Sequence, residues 1–219
     1  MLGFIQDNFP LCSNIKVLDK KLIEISKIME VIRKKQTLDD QKSNLVWLDM
    51  EMSGLNPNTC RILEIAVIVT DKNLDPLDEG KEFVLKQADY FLDKMDDWNK
   101  TTHKKSGLIE KVKQSSFSEN IVEETLLKYL ENLVPAKTSP LCGNSIHQDR
   151  RFLRLYMPKL DAYFSYRNID VSTVKELCKR WKPKTVKNFT KKGAHTAMAD
   201  TVESIGELKF YRKNFFMDG

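Results

Sequence analysis

The sequence predicts an α/β domain built on a mixed β-sheet, and three observations predict it. Two short apolar runs, Leu45–Leu48 and Ile62–Val69, have the length and continuity of strands buried on both faces. Turn residues separate them: Gly54, Asn56, Pro57 and Asn58 between the runs, and Asn73–Pro76 after the second. From there helical patterns alternate with short apolar stretches, an order that calls for helices flanking a sheet with both strand directions.

Taken in order, residues 1–43 form an N-terminal extension distinct from the rest of the chain. Leu18, Leu22, Ile25, Met29 and Ile32 recur at steps of four and three, flanked by Lys20, Lys21, Lys27, Arg33, Lys34 and Lys35. The spacing predicts an amphipathic helix that packs on its own domain or on a neighbour. Asp7, Asn8 and Pro10 interrupt any secretory signal, and Asp7, Asp19, Glu24 and Glu30 argue against a mitochondrial presequence. The main domain is expected over 44–216, with a tail at 217–219.

Within it, Leu45–Leu48, Ile62–Val69 and Phe83–Leu85 predict three sequential strands. Helices are expected over Tyr90–Trp98 and Ser118–Leu133, and a short strand near Pro140–Cys142. A helix over Gln148–Tyr156, a strand over Ile169–Val171 and helices over Ser172–Trp181 and Ala197–Arg212 complete the domain. Trp47 and Trp98 read as core residues rather than stacking platforms.

Composition bounds the function. A chain of 219 residues, 41% hydrophobic and 31% charged, is long enough for one sizeable core, and no run approaches a membrane span. The net charge of +5 permits a polyanionic partner without demanding one. Cys12, Cys60, Cys142 and Cys178 form no Cys-x-x-Cys pair, which argues against a thiolate zinc site or a disulfide framework and for a reducing compartment. The expected location is the cytoplasm, with mitochondria as the alternative.

The chemistry-bearing residues are acidic. Asp49 and Glu51 stand two apart at the end of the first strand, so both carboxylates leave the same face. Oxygen ligands on a rigid strand suit Mg²⁺ or Mn²⁺, although an isolated Asp-x-Glu also describes many solvated turns. A second element is Gly143-Asn144-Ser145-Ile146-His147-Gln148-Asp149, where Asn144 or Ser145 is positioned to cap a helix whose first turns carry Asp149. The third is His195-Thr196-Ala197-Met198-Ala199-Asp200. A separation of five places His195 and Asp200 about 140° apart on a helix, so His195 is expected before the helix, Thr196 at its cap and Asp200 in its first turn.

In combination these motifs resemble the DEDDh exonuclease superfamily. Further segments sharpen the resemblance to the oligoribonuclease family: Trp47 to Leu55, Met95-Asp96-Asp97-Trp98-Asn99, Ser106-Gly107-Leu108, Gly143 to Leu153, Tyr166-Arg167, and Asp170 to Leu177. The match runs from Asn44 to Phe216. Ala199 departs from the second acid many members carry before the last Asp.

The resemblance implies a ribonuclease-H-like fold, a homodimer, and 3′-5′ removal of nucleoside 5′-monophosphates from short single-stranded RNA, dinucleotides above all. It further implies that Asp49, Glu51, Asp149 and Asp200 hold two divalent cations, Mg²⁺ or Mn²⁺, while His195 takes the proton of the attacking water. By the same resemblance Leu55 and His103 hold the terminal bases, and Ser145, Tyr166, Arg167, Ser172 and Thr173 engage the 5′ phosphate, with Tyr166 and Arg167 reaching across the dimer. The competing readings are a DEDDh exonuclease acting on DNA and a non-catalytic RNA-binding protein.

Overall fold

The structure, a computed structural model, describes residues 36–189 and 196–216. The expected N-terminal amphipathic helix, the tail and His195 lie outside the described residues. Leu38–Gly219 forms one compact unit. Its elements are α1 (Leu38–Lys42), β1 (Leu45–Met52), β2 (Ile62–Thr70), β3 (Lys81–Val84), α2 (Asp89–Asp93), α3 (Asp97–Lys105), α4 (Leu108–Gln114), α5 (Glu119–Glu131) and β4 (Leu141–Gly143). After these come α6 (His147–Tyr156), α7 (Pro158–Tyr163), β5 (Asn168–Asp170), α8 (Val171–Trp181), α9 (Pro183–Val186), α10 (Ala197–Tyr211) and a π-helical turn, Arg212–Phe216.

The sheet is mixed, in the order β3-β2-β1-β4-β5. β1 pairs antiparallel with β2 and parallel with β4, and β4 pairs parallel with β5. Alternation along β1 sends its residues into two clusters of the core, while a third gathers Leu63 of β2 with Leu92, Met95, Leu108 and Val112. Val46, Leu48 and Met50 face a cluster closed by α5, α6 and α7, while Trp47 faces a second closed by Val171 and Cys178 of α8 and Ile205 and Tyr211 of α10. Every residue of β2 is buried, as its apolar run predicts, and that includes Glu64.

β4 carries a glycine where the chain needs one. A Cβ on Gly143 would stand 2.6 Å from the Leu48 carbonyl oxygen, so only glycine lets the strand end pass β1 before turning into α6.

The expected helix over Tyr90–Trp98 is instead two, α2 and α3, with Asp96 between them accepting the Asn99 N–H as the cap of α3. Trp47 is buried, its indole N–H donating to Thr70 Oγ1. Trp98 is not a core residue: it is 66% exposed near the start of α3, since the buried side of that helix is taken by His103. Among the described residues no helix is long and apolar enough to cross a membrane.

Candidate active site

Trp47, Asp49 and Glu51 share one face of β1, and the apolar floor under Trp47 gives way to carboxylates where the strand leaves the core. α10 packs on this face and brings Asp200 in its first turn. Carboxylate oxygens of Asp49, Glu51 and Asp200 lie within 4.8 Å of one another, although about 150 residues separate the strand from the helix.

The position of Asp200 is fixed by the way the first turn of α10 is satisfied. A helix begins with N–H groups that have no intrahelical partner. Here the Ala197 N–H donates to Glu64 (2.9 Å), the Met198 N–H to Glu82 (3.3 Å), and the Ala199 N–H to the Thr196 hydroxyl (3.4 Å). The Thr196 cap is the expected one. Glu64 and Glu82 are site residues that the sequence motifs miss; the signal for Glu64 is a lone charge inside an apolar strand, directly opposite Glu51 in register.

Crowded carboxylates out of water hold their protons. Burial, then the charges of Asp200 and Glu64, push Glu51 up to about 7. Asp149, in the first turn of α6 and 5% exposed, is also raised, first by burial and then by Glu51 and Asp170, against the pull of backbone hydrogen bonds that include Met50. It therefore lies beside the three clustered acids without joining their closest group. A divalent cation supplies the counter-charge that such a set lacks, and hard oxygen donors suit one. The residues fit a metal.

The cap expected of Asn144 or Ser145 does not form: the residue before α6 is Ile146, with no side-chain cap. Both side chains have distant partners instead. Asn144 donates through Nδ2 to Ser204 Oγ (2.8 Å) and Glu207 (3.2 Å), and its Oδ1 accepts from Ser172 Oγ (3.1 Å). Ser145, left-handed at φ 51°, donates its hydroxyl to Ser172 and its N–H to Asp170. Ser145, Ser172 and Thr173 thus line one groove of ≈ 360 Å³ with His147 and Arg180.

The remaining expected residues fall into two groups. Leu55 is 67% exposed in the turn after β1, and His103 is buried beside the acids, Nε2 donating to the Met52 carbonyl (3.0 Å) and Nδ1 3.9 Å from Glu51. Tyr166 and Arg167 stand apart. They precede β5, whereas Ser172 and Thr173 come after it, so the strand separates the pair from the groove within one chain.

The class of this protein is given by the exonuclease family model (RNase_T), which matches residues 46–208 and so spans both the mixed sheet and the carboxylate cluster. The oligoribonuclease of Chromobacterium violaceum is 58% identical over 173 residues, covering 79% of this chain and 96% of that protein. That of Nitrosomonas europaea is 58% identical over 174 residues, covering 80% and 96%. The chain belongs to the oligoribonuclease family of exonucleases. Among solved structures, E. coli exonuclease I in complex with a dA16 oligonucleotide superposes with a TM-score of 0.63 at 18% identity, covering 79% of this chain. This chain spans about two fifths (41%) of that chain's length, so the likeness is one of fold.

Proposed function

We infer that this protein is a 3′-5′ exoribonuclease that degrades short RNA to nucleoside 5′-monophosphates with divalent metal. The observation that carries it is the convergence of Asp49, Glu51 and Asp200 within 4.8 Å at the open end of β1. A metal dependence fits that cluster, and the bacterial oligoribonucleases that the chain resembles support the substrate class.

Asp49, Glu51, Asp149 and Asp200 are the residues that hold the metal, two ions of Mg²⁺ or Mn²⁺. When bound, the ions activate the attacking water and stabilise charge on the departing 3′ oxygen. The chain's own groups do the rest. The carboxylates bind and orient; Leu55, exposed on its turn, wedges at the terminal bases, and His103, held by the Met52 carbonyl beside Glu51, contacts them as well. His195 accepts the proton of the attacking water as the P–O3′ bond breaks, a task suited to a side chain that is neutral and basic near pH 7.

Length selection comes from a closed pocket. Ser145, Ser172 and Thr173 meet the 5′ phosphate at the start of α8, whose N-terminus favours an anion. Tyr166 and Arg167 sit at the wrong end of β5 to serve their own groove, and the homodimer brings them to the partner copy's groove.

The test is time-resolved digestion of 5′-labelled RNAs from dinucleotide upward, with Mg²⁺, Mn²⁺ or chelator, beside Asp49→Ala. Metal-dependent loss of 3′ nucleotides, fastest on the shortest RNA and absent in the variant, is expected. Equal or better cleavage of long RNA would remove the closed pocket. The exonuclease I likeness raises DNA as the second substrate, and a matched DNA dinucleotide cleaved as fast as its RNA counterpart would establish it.

A further inference from the structure

Arg150 follows the candidate ligand Asp149 in α6 and is itself 6% exposed. Its guanidinium donates to Asp161 Oδ1 (2.9 Å), the Arg167 carbonyl (3.0 Å), Asn168 Oδ1 (2.7 Å) and the Ser165 carbonyl (2.7 Å). The same short stretch of backbone is held from its other side: the Ser165 N–H donates to the Ser139 carbonyl (2.8 Å), and the Leu141 N–H to the Arg167 carbonyl (3.2 Å). Backbone at 165 and 167 is therefore fixed twice over.

The side chains carried on that backbone are open to solvent at the rim of a groove they share with Arg150 and Asp161. Tyr166 is 79% exposed, and the Arg167 guanidinium lies 5.0 Å from the centre of its ring. A tyrosine stacked by an arginine, exposed on a clamped backbone, is a pre-organised contact element available to a partner. A buried arginine is not needed for this as packing, because well-packed apolar side chains stabilise a core at least as well as a buried ion pair. What an apolar residue cannot do is bind two carbonyls, an amide and a carboxylate in one plane.

We propose that Arg150 is a positioning residue, fixing Ser165–Asn168 so that Tyr166 and Arg167 are presented to the 5′ phosphate of RNA bound in the other copy of the dimer. This rests on the phosphate clamp of the proposed function. Adjacent residues of α6 then serve two sites: Asp149 faces the metal cluster of its own chain, and Arg150 builds part of its partner's.

The test compares a 5′-phosphorylated diribonucleotide with the same dinucleotide bearing a 5′ hydroxyl. Arg150→Lys keeps the charge but not the fork, and should raise KM for the phosphorylated substrate about tenfold, with kcat and the 5′-hydroxyl substrate within about twofold of wild type. A mixed dimer of Arg150→Lys with Asp49→Ala, separated by two tags, has one competent site, in the Arg150→Lys copy, served by an intact segment from the other. Its KM should return to the wild-type value. A KM that stays raised in the mixed dimer would mean Arg150 acts only on its own chain, and the proposal falls. Should Arg150→Lys fail to fold by circular dichroism, Asn168→Ala, which removes one partner from an exposed position, carries the same comparison. Arg167→Ala separates the layers. If it leaves phosphate preference intact, the clamp reading fails and takes this inference with it; if it abolishes the preference while Arg150→Lys does not, only the role of Arg150 is lost.

Discussion

Glu51 illustrates how a carboxylate crowded among others works against the fold that holds it. Its ordinary value of 4.5 rises to about 7 in the folded chain, so between those values the folded protein binds a proton that the unfolded chain releases. Unfolding then releases protons, and the metal-free protein loses stability as pH rises from about 4.5 through 7, by at most about 3.5 kcal/mol for this group. Denaturation in chelator should show lower stability at pH 8 than at pH 5.5, and Mg²⁺ or Mn²⁺ should restore more at pH 8, because the cation binds the ionised form. Glu51→Gln is expected to stabilise the metal-free protein at pH 8 while abolishing turnover; a variant less stable than wild type there would show that Glu51 is not held under repulsion. His195→Ala is expected to leave metal affinity unchanged, measured by calorimetry, and to slow turnover by about 10² to 10⁴. Metal affinity lost together with rate would make His195 a ligand instead.

At the scale of elements, the site depends on how α10 is anchored. Glu64 reaches from β2 to the first N–H of that helix, and removing it leaves a buried donor unmet next to Asp200. Glu64→Ala should cost about 1–3 kcal/mol in urea unfolding and weaken metal binding besides. A destabilised variant with unchanged metal affinity would mean that Thr196 and Glu82 suffice to place Asp200.

Much at this scale is legible in the sequence, and the misses share a cause. β1 and β2 are visible as apolar runs, and Asp49, Glu51 and the Thr196 cap as local patterns. Asn144 and Ser145 look like caps because a local rule favours them, yet their partners Ser204, Glu207 and Ser172 lie 27 to 63 residues away. Glu64 shows in the sequence only as an interruption, since its role needs a helix that arrives 133 residues later. Trp98 departs from the core expected of it because burial on a short amphipathic helix is decided by which side meets the sheet, and α4 and α7 are too brief for a periodic pattern to register.

At the scale of the whole molecule, the compact unit from Leu38 onward contains the sheet, the three core clusters and the clustered acids Asp49, Glu51 and Asp200. The match to the Chromobacterium violaceum oligoribonuclease covers 96% of that protein but only 79% of this chain. A protein beginning at Gln36 should accordingly fold and hydrolyse short RNA with a kcat near that of the full chain. Loss of the thermal transition on removal of residues 1–35 would instead make that extension part of the fold.

The distance in sequence between β1 and α10 has a bearing on how the protein is made. A newly synthesised nuclease emerges into surroundings dense with messenger and ribosomal RNA, and a chain able to cut while still being translated would be a hazard to its own template. Two of the three clustered carboxylates come early, on β1, but the third arrives only with α10, after every strand of the sheet. Because Asp200 is synthesised about 150 residues after Asp49, the three-carboxylate cluster cannot be complete on the growing polypeptide until α10 has been made and has docked on β1.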